Sequence, residues 1–316
     1  MAKKKFLKCL FLFSGGLDSI LGVEVLRIQK NIKIVGLTFK SIFFDETLAK
    51  KMAKKISLPL KIVDISSSLL KIVKKPKYGY GKGMNPCLDC RILMLKKAKE
   101  ILKKEKFDFV ASGEVLGERP MTQNKFALNF VEKKSSLKGI LLRPLSAKLL
   151  EETIFEKKGL IKRELLLDLS GRSRKSQIFL AKKFNLKDYP TPSGGCILTD
   201  LNFSKKLKEL LKIYPKAKEN DIKLLKLGRH FWKEKVKIVV GRNEKENKIL
   251  KKLAKKGDFL IEMKNYPGPL TLLRNYQKTK ISSEVLKKAK KLTQYYSPKV
   301  RERKDVKFKI KEIETS

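Results

Sequence analysis

The chain has 316 residues, in which 76 Lys and Arg face 32 Asp and Glu, for a formal charge of +44. No stretch carries the roughly eighteen uncharged apolar residues of a membrane span, and four cysteines are too few for a disulfide scaffold at this length, so membrane-spanning and disulfide-rich secreted classes are set aside. Self-repulsion on this scale calls for a polyanionic partner, nucleic acid first, with a lysine-rich bias that merely solvates the surface as the plain alternative.

The apolar run Phe6 to Phe13 predicts a buried first strand rather than a signal peptide, because it enters the turn Ser14-Gly15-Gly16 at once. The chain is therefore expected in the cytoplasm. Ser19 to Leu26 reads as the first helix. Glycines at such a strand-to-helix turn let the backbone approach a phosphate, and the N–H groups opening the helix favour an anion. The Gly-Lys-Ser/Thr ending of a Walker A loop is missing, which argues against a kinase-type or GTPase-type site.

Strands are predicted at Ile32–Phe39, Leu60–Ile65, Phe107–Ser112 and Gly139–Leu145, with helices at Asp45–Ile56 and Arg91–Lys104 and a basic loop at Lys74–Pro86. Alternating strands and helices imply an α/β fold with a parallel sheet covered on both faces. Ligands in such sheets bind beyond the carboxyl ends of the strands. The loop Ser14 to Ser19, Thr38 to Ser41, Ser112-Gly113-Glu114 and Arg143-Pro144 should therefore line one crevice.

Cys87 and Cys90 stand three apart at a helix start, inside Gly83-Met84-Asn85-Pro86-Cys87-Leu88-Asp89-Cys90, and Cys196 lies in Pro192-Ser193-Gly194-Gly195-Cys196. The pair can present both sulfurs to one metal, with a third ligand from the distant loop. Structural zinc wants a fourth Cys or His. The only histidine, His230, falls beyond the sheet domain and reads as an ordinary interface residue, and Cys9 sits mid-strand as a core residue. Three cysteines suit an iron–sulfur cluster with one open iron better than closed zinc; two unrelated thiols and a loop cysteine are the plain alternative.

The segment Ser14-Gly15-Gly16-Leu17-Asp18-Ser19 resembles the PP-loop of the ATP pyrophosphatase superfamily. Further motifs are similar to those of tRNA thiouridine synthases of the ThiI and MnmA kind. They are Ser112-Gly113-Glu114-Val115-Leu116-Gly117 with Met121-Thr122-Gln123-Asn124, Leu142-Arg143-Pro144-Leu145, Asp168 to Gln177, and Gly194 to Asp200. The resemblance spans about residues 6 to 203. It implies a Rossmann-like PP-loop domain of the adenine nucleotide alpha hydrolase kind over 1–203. It also implies ATP cleavage to AMP and pyrophosphate with Mg2+, and, as in the three-cysteine subgroup, a 4Fe-4S cluster on Cys87, Cys90 and Cys196. Implied nucleotide contacts are Ser14, Gly15, Gly16, Asp18, Ser19, Gly113 and Arg143, with Leu37, Thr38 and Phe39 flanking adenine. Asp18 would support the loop and the magnesium-bound triphosphate; a first-turn carboxylate satisfying the helix dipole is the plain alternative.

Such enzymes commonly grip tRNA through a THUMP domain ahead of the loop; here the C-terminal half is expected to take that task. Residues 204–230 read as a helical linker, 231–285 as a smaller α+β domain, and 286–316 as a basic tail whose Tyr295, Tyr296, Arg301, Arg303 and Lys304 could clamp RNA. Gly241-Arg242-Asn243, Gly257-Asp258 and Pro267-Gly268-Pro269 are similar to the NFACT-R (DUF814) RNA-binding domain.

The expected activity is ATP-dependent tRNA thiolation: a uridine oxygen is adenylated, then replaced by sulfur from sulfide or a cysteine desulfurase. 4-Thiouridine is placed ahead of 2-thiouridine, and a cysteine persulfide on Cys87, Cys90 or Cys196 is the rival carrier. Two other classes stay open: a zinc-containing small-molecule synthetase or amidotransferase, and a non-catalytic RNA- or ribosome-binding factor. A homodimer is a further expectation.

Overall fold

The structure, a computed structural model, describes residues 6–190, 195–277 and 280–314. The chain divides into two compact units, Met1–Thr199 and Asp200–Ser316.

The first unit begins with β1 (Leu7–Leu12), α1 (Leu17–Arg27), β2 (Ile32–Lys40), α2 (Thr47–Lys55), β3 (Leu60–Asp64), α3 (Ser66–Lys74) and α4 (Cys87–Lys104). It continues with β4 (Phe109–Ser112), α5 (Lys125–Ser135), β5 (Leu141–Leu142), α6 (Ile154–Lys157) and α7 (Lys175–Lys183). The strands run in the order β3-β2-β1-β4-β5, and every pairing is parallel. A parallel strand covered on both faces must be apolar throughout, which is why β1 reads Leu-Lys-Cys-Leu-Phe-Leu with only Lys8 exposed. Leu17, Ile20, Leu21 and Val25 of α1 pack with Phe11, Phe109 and Leu142 in one core. Burying each such side chain contributes roughly 1.5–3 kcal/mol before conformational entropy is charged against it. β1 has β2 on one side and β4 on the other, so the loops leaving β1 and β4 part at their carboxyl ends.

The second unit contains α8 (Leu201–Ile213), α9 (Glu219–Leu224), β6 (Arg229–Lys233), β7 (Val236–Val240) and α10 (Glu244–Leu253). β8 (Phe259–Met263), β9 (Thr271–Asn275), α11 (Ser283–Tyr295) and β10 (Phe308–Glu312) follow. Its sheet, ordered β10-β8-β9-β7-β6, is antiparallel. Alternate residues serve opposite faces. Ile238, Val240, Ile261 and Leu273 meet Val285 and Ala289 of α11, while Val239, Leu260 and Leu272 meet Leu224 and Leu250. Arg274 is 0% exposed. It donates to Asp258 at 2.7 Å, Asp221 at 3.0 Å, Asn220 at 2.7 Å and the Leu253 carbonyl at 2.9 Å.

The α/β expectation therefore holds, with differences at the edges. α4 begins at Cys87 rather than Arg91, and β5 is two residues long because the chain bends away after Leu142. Residues 286–316, expected as a tail, carry most of α11 and the edge strand β10. The lysines that suggested a tail occupy the outer face of α11, while Val285, Ala289 and Thr293, spaced by four, are buried. His230, expected in the linker, lies in β6 opposite Val239. Burial, then Lys237 and Lys206, push its imidazole down to about 3.

Candidate functional site

At the carboxyl end of β1, Phe13 N–H donates to the Leu37 carbonyl at 2.9 Å, and the chain then turns through Ser14, Gly15 and Gly16 into α1. Gly15 has φ +80°, and a Cβ there would lie 2.8 Å from the Leu48 carbonyl oxygen and 2.9 Å from Ala49. Only glycine fits this corner. Ser14 Oγ accepts from Gly16 N–H at 3.3 Å and donates to Ser19 Oγ at 3.4 Å, and Ser19 Oγ donates to the Gly16 carbonyl at 2.8 Å. Gly16 provides no side-chain cap, so the opening N–H groups of α1 remain available to an anion at the positive end of an 11-residue helix.

The neighbouring strand loop fixes this turn. A Cβ on Gly113, just past β4, would lie 2.6 Å from the Asp18 carbonyl carbon and 2.7 Å from Ser19 Cα. The two backbones touch. Asp18 has one carboxyl oxygen 3.7 Å from Arg174 and the other buried without a hydrogen-bond partner among the described residues. Burial raises its carboxyl above the usual range against the pull of Arg174 and Arg119. Glu118, 3.8 Å from Arg174, is raised too, by burial and then by the Asp18 charge. Arg174 arrives here because Leu116 bridges to Ser170 and the Gly171 N–H donates to the Leu116 carbonyl at 2.7 Å, just ahead of α7. Two carboxyls that repel each other, beside two guanidiniums, offer the groups that a polyphosphate and its cation would engage.

Below the crevice lies a buried ion-pair cluster. Glu114 holds Arg143 at 2.9 Å and Arg91 at 2.8 Å, Ser112 Oγ donates to it at 3.0 Å, and Arg143 also pairs with Glu132. Burial alone would raise the Glu114 carboxyl, but Arg91 and Arg143 outweigh it and hold it at about 2. Arg143 is 2% exposed, so in this structure its side chain braces Glu114 and Glu132.

Arg91 links that cluster to the cysteines, which open α4. Cys90 N–H donates to the Pro86 carbonyl at 2.8 Å, and Asn85 Nδ2 donates to Cys87 Sγ at 3.0 Å. Cys196 lies against the loop after β2, its thiol 3.7 Å from the Phe43 carbonyl and the following N–H of Ile197 at 3.3 Å from the same oxygen. Burial, followed by the charges of Cys196 and Cys87, pushes the Cys90 thiol up to about 12. No group of three or more His, Cys, Asp or Glu among the described residues is spaced as a metal-ligand set in this conformation. Pro192, Ser193 and Gly194 of the third-cysteine loop lie outside the described residues. Cys9 is 0% exposed in β1, paired with Ile34 and Phe109, and is a core residue as expected.

Ser14, Gly15, Gly16, Asp18, Ser19 and Gly113 thus come together; Cys87 and Cys90 open α4 beside Arg91, which reaches Glu114, and Cys196 lies against Phe43. Leu37, Thr38 and Phe39 are buried in β2; Thr38 and Phe39 pass Leu37, the partner of the last β1 residue. Sequence reasoning missed Glu118, Arg119 and Arg174. The only signal was position: Arg174 lies within Asp168 to Gln177, and Glu118 and Arg119 fall between Ser112–Gly117 and Met121–Asn124.

No curated protein matches the chain significantly. Solved structures with partial likeness include one described as a predicted subunit of tRNA methyltransferase from Methanocaldococcus jannaschii, at 15% identity and TM-score 0.41 over 65% of this chain and 88% of that one. Another is the U34-tRNA thiolase NcsA from Methanococcus maripaludis with its 4Fe-4S cluster, at 18% identity and TM-score 0.36 over 70% of this chain and 73% of that one. Likeness at this level carries no argument about activity. Residues 228–316, which hold the whole antiparallel sheet and α11, match the family model described as the NFACT protein RNA binding domain.

Proposed function

We propose that the chain is an ATP-dependent tRNA-thiolating enzyme that converts a uridine to a thiouridine, 4-thiouridine ahead of 2-thiouridine. What supports this reading most is a glycine loop shaped for a phosphate and fitted against β4, with Cys87 and Cys90 opening the helix whose Arg91 pairs with Glu114 beside it. The +44 charge and the RNA-binding family match of residues 228–316 favour a nucleic acid over a small molecule as the substrate.

The open N–H groups of α1, with Ser14 and Ser19, would receive the pyrophosphate that departs when a uridine carbonyl oxygen attacks the α-phosphorus. Asp18 and Glu118 offer hard oxygens for the magnesium of the nucleotide, whose charge would relieve their mutual repulsion. Arg174 and Arg119 neutralise the triphosphate from the other side. AMP then leaves as sulfide adds to the activated carbon, and the thiocarbonyl forms with loss of one proton.

Cys87, Cys90 and Cys196 would hold a 4Fe-4S cluster, since soft cysteine sulfurs are the donors that such clusters take. When bound, the cluster supplies an open iron at which sulfide is kept. Asn85 steadies the Cys87 sulfur by donating to it at 3.0 Å.

The test is anaerobic: iron and sulfide reconstitution, visible absorbance, then incubation with ATP, magnesium, sulfide and unmodified tRNA before nucleoside mass analysis. The expected result is a brown protein that makes thiouridine and releases AMP, with both colour and product lost in Cys87→Ala, Cys90→Ala or Cys196→Ala. A colourless protein with stoichiometric zinc and no thionucleoside would remove the proposal and favour a small-molecule synthetase.

A further inference from the structure

The first unit carries an aromatic surface that the phosphate and sulfur sites do not use. Phe126 and Phe130, four apart on α5, stack with ring centroids 6.0 Å apart and planes 17° apart, and Tyr78 meets Phe130 edge-on at 5.0 Å and 87°. Lys134, one turn further along α5, lies 5.6 Å over the Phe130 ring, and Lys77 lies 5.8 Å over Tyr78. Phe126 is 78% exposed. Asn124 caps α5 by accepting from the Ala127 N–H at 2.8 Å, which fixes the direction in which this face points.

One exposed phenylalanine is ordinary, but three aromatic rings in mutual contact along one surface, the outermost 78% exposed, form a patch that asks for a reason. Its surroundings supply one. Flat rings rimmed by ammonium groups match an unpaired nucleotide, whose base stacks on the ring while its phosphate meets the lysine. The same lysines, on a chain of charge +44, disfavour a basic or apolar protein partner. The surface is also anchored to the sulfur-bearing turn: the Asp89 carboxylate, between Cys87 and Cys90, accepts the N–H groups of Lys77 at 3.1 Å and Tyr78 at 3.0 Å.

We propose that Tyr78, Phe126 and Phe130, rimmed by Lys77 and Lys134, form a platform on which unpaired bases of the RNA substrate stack. This rests on the reading of the chain as a tRNA-modifying enzyme, and places a single-stranded part of the RNA beside the cysteine turn rather than only on the second unit.

The experiment measures binding by anisotropy with the full chain, a labelled oligouridylate and an RNA hairpin with the same number of phosphates. Phe126→Ala should weaken oligouridylate binding by about 5- to 100-fold and hairpin binding by no more than about 2-fold, with Phe126→Trp restoring the difference. Lys134→Ala should reduce the slope of log affinity against log salt for the single strand by about 0.7. Because Phe126 is mostly exposed, its removal should leave thermal unfolding unchanged, which separates stacking from folding. The platform is refuted if wild type fails to bind the oligouridylate, if Phe126→Ala binds it as wild type does, if both RNAs weaken equally, or if only self-association changes. Phe126-dependent binding without thionucleoside formation would refute the proposed activity and keep the platform; thiolation with wild-type binding by Phe126→Ala would do the reverse.

Discussion

Gly113→Ala tests whether the glycine loop is held in place by β4. The added methyl would sit 2.6 Å from the Asp18 carbonyl carbon and 2.7 Å from Ser19 Cα, where ordinary contact begins near 3.4 Å. The obstructing atoms are backbone, so no side chain can rotate aside, and the first turn of α1 must part from β4 by about 1 Å. Overpacking of this kind costs about 1–3 kcal/mol. At roughly 2–4 °C per kcal/mol for a unit of this size, the unfolding midpoint should fall by about 2–12 °C. The displaced atoms carry Asp18 and Ser19, and misplacing a binding constellation by about 1 Å can cost on the order of 100-fold in rate. Thermal unfolding followed by circular dichroism, paired with pyrophosphate release at saturating RNA, measures both effects. A Gly113→Ala protein with the wild-type midpoint and the wild-type ATP dependence would refute the claim that this contact sets the loop.

Glu114→Gln should destabilise the first unit by about 3–5 kcal/mol at neutral pH, because Arg91 and Arg143 stay buried without their shared carboxylate. Glu114 falls from an ordinary 4.5 to about 2 in the folded chain, so its contribution of about 3 kcal/mol is present above pH 4.5 and is lost as pH falls toward 2. Urea midpoints should therefore converge between wild type and variant from pH 4.5 to pH 3, and parallel curves would contradict this. With iodoacetamide at pH 8, mass analysis of the metal-free protein should find exposed Cys87 alkylated first, Cys90 slower by more than about tenfold, and Cys9 last; equal rates at Cys87 and Cys90 would exclude the burial described. Arg274→Met should cost about 3–5 kcal/mol by stranding Asp258 and Asp221. Arg274→Lys should recover little of that, since one ammonium cannot reach all the acceptors that the guanidinium serves; full recovery in thermal unfolding would argue against the fork geometry.

The parallel sheet was legible because buried strands announce themselves as apolar runs: Phe6 to Phe13 and Ile32 to Phe39 fall within a residue or two of β1 and β2. The glycine turn was legible for a similar reason, since Gly15 occupies a conformation that side chains resist. Burial of Arg143 was not. An arginine following a strand end reads as a ligand contact, and only the folded chain brings Glu114 and Glu132, from β4's loop and α5, around it. Glu118 and Arg174 escaped for the same reason: their meeting with Asp18 depends on Leu116 pairing with Ser170, a contact between distant segments. In the second unit, lysine density hid the buried stripe of α11, and the short strand Phe308–Glu312 gains its identity only from pairing with β8. Charged composition masks periodicity when the polar face is nearly all one residue type.

Asp89 has consequences for genetics as well as for geometry. One carboxylate holds the Tyr78 loop while its own backbone lies inside the cysteine turn, so substitutions on the two sides share a common support. Effects of Tyr78 and Cys87 variants should therefore fail to add when combined, by about 0.5–3 kcal/mol, whereas pairs drawn from opposite ends of α4 should add. A phenotype at Asp89 will look like a defect in sulfur handling and in RNA contact at once, and assigning it to either alone would be a mistake. In a screen of random variants, that position should behave as an intersection between two groups of mutations that otherwise sort independently.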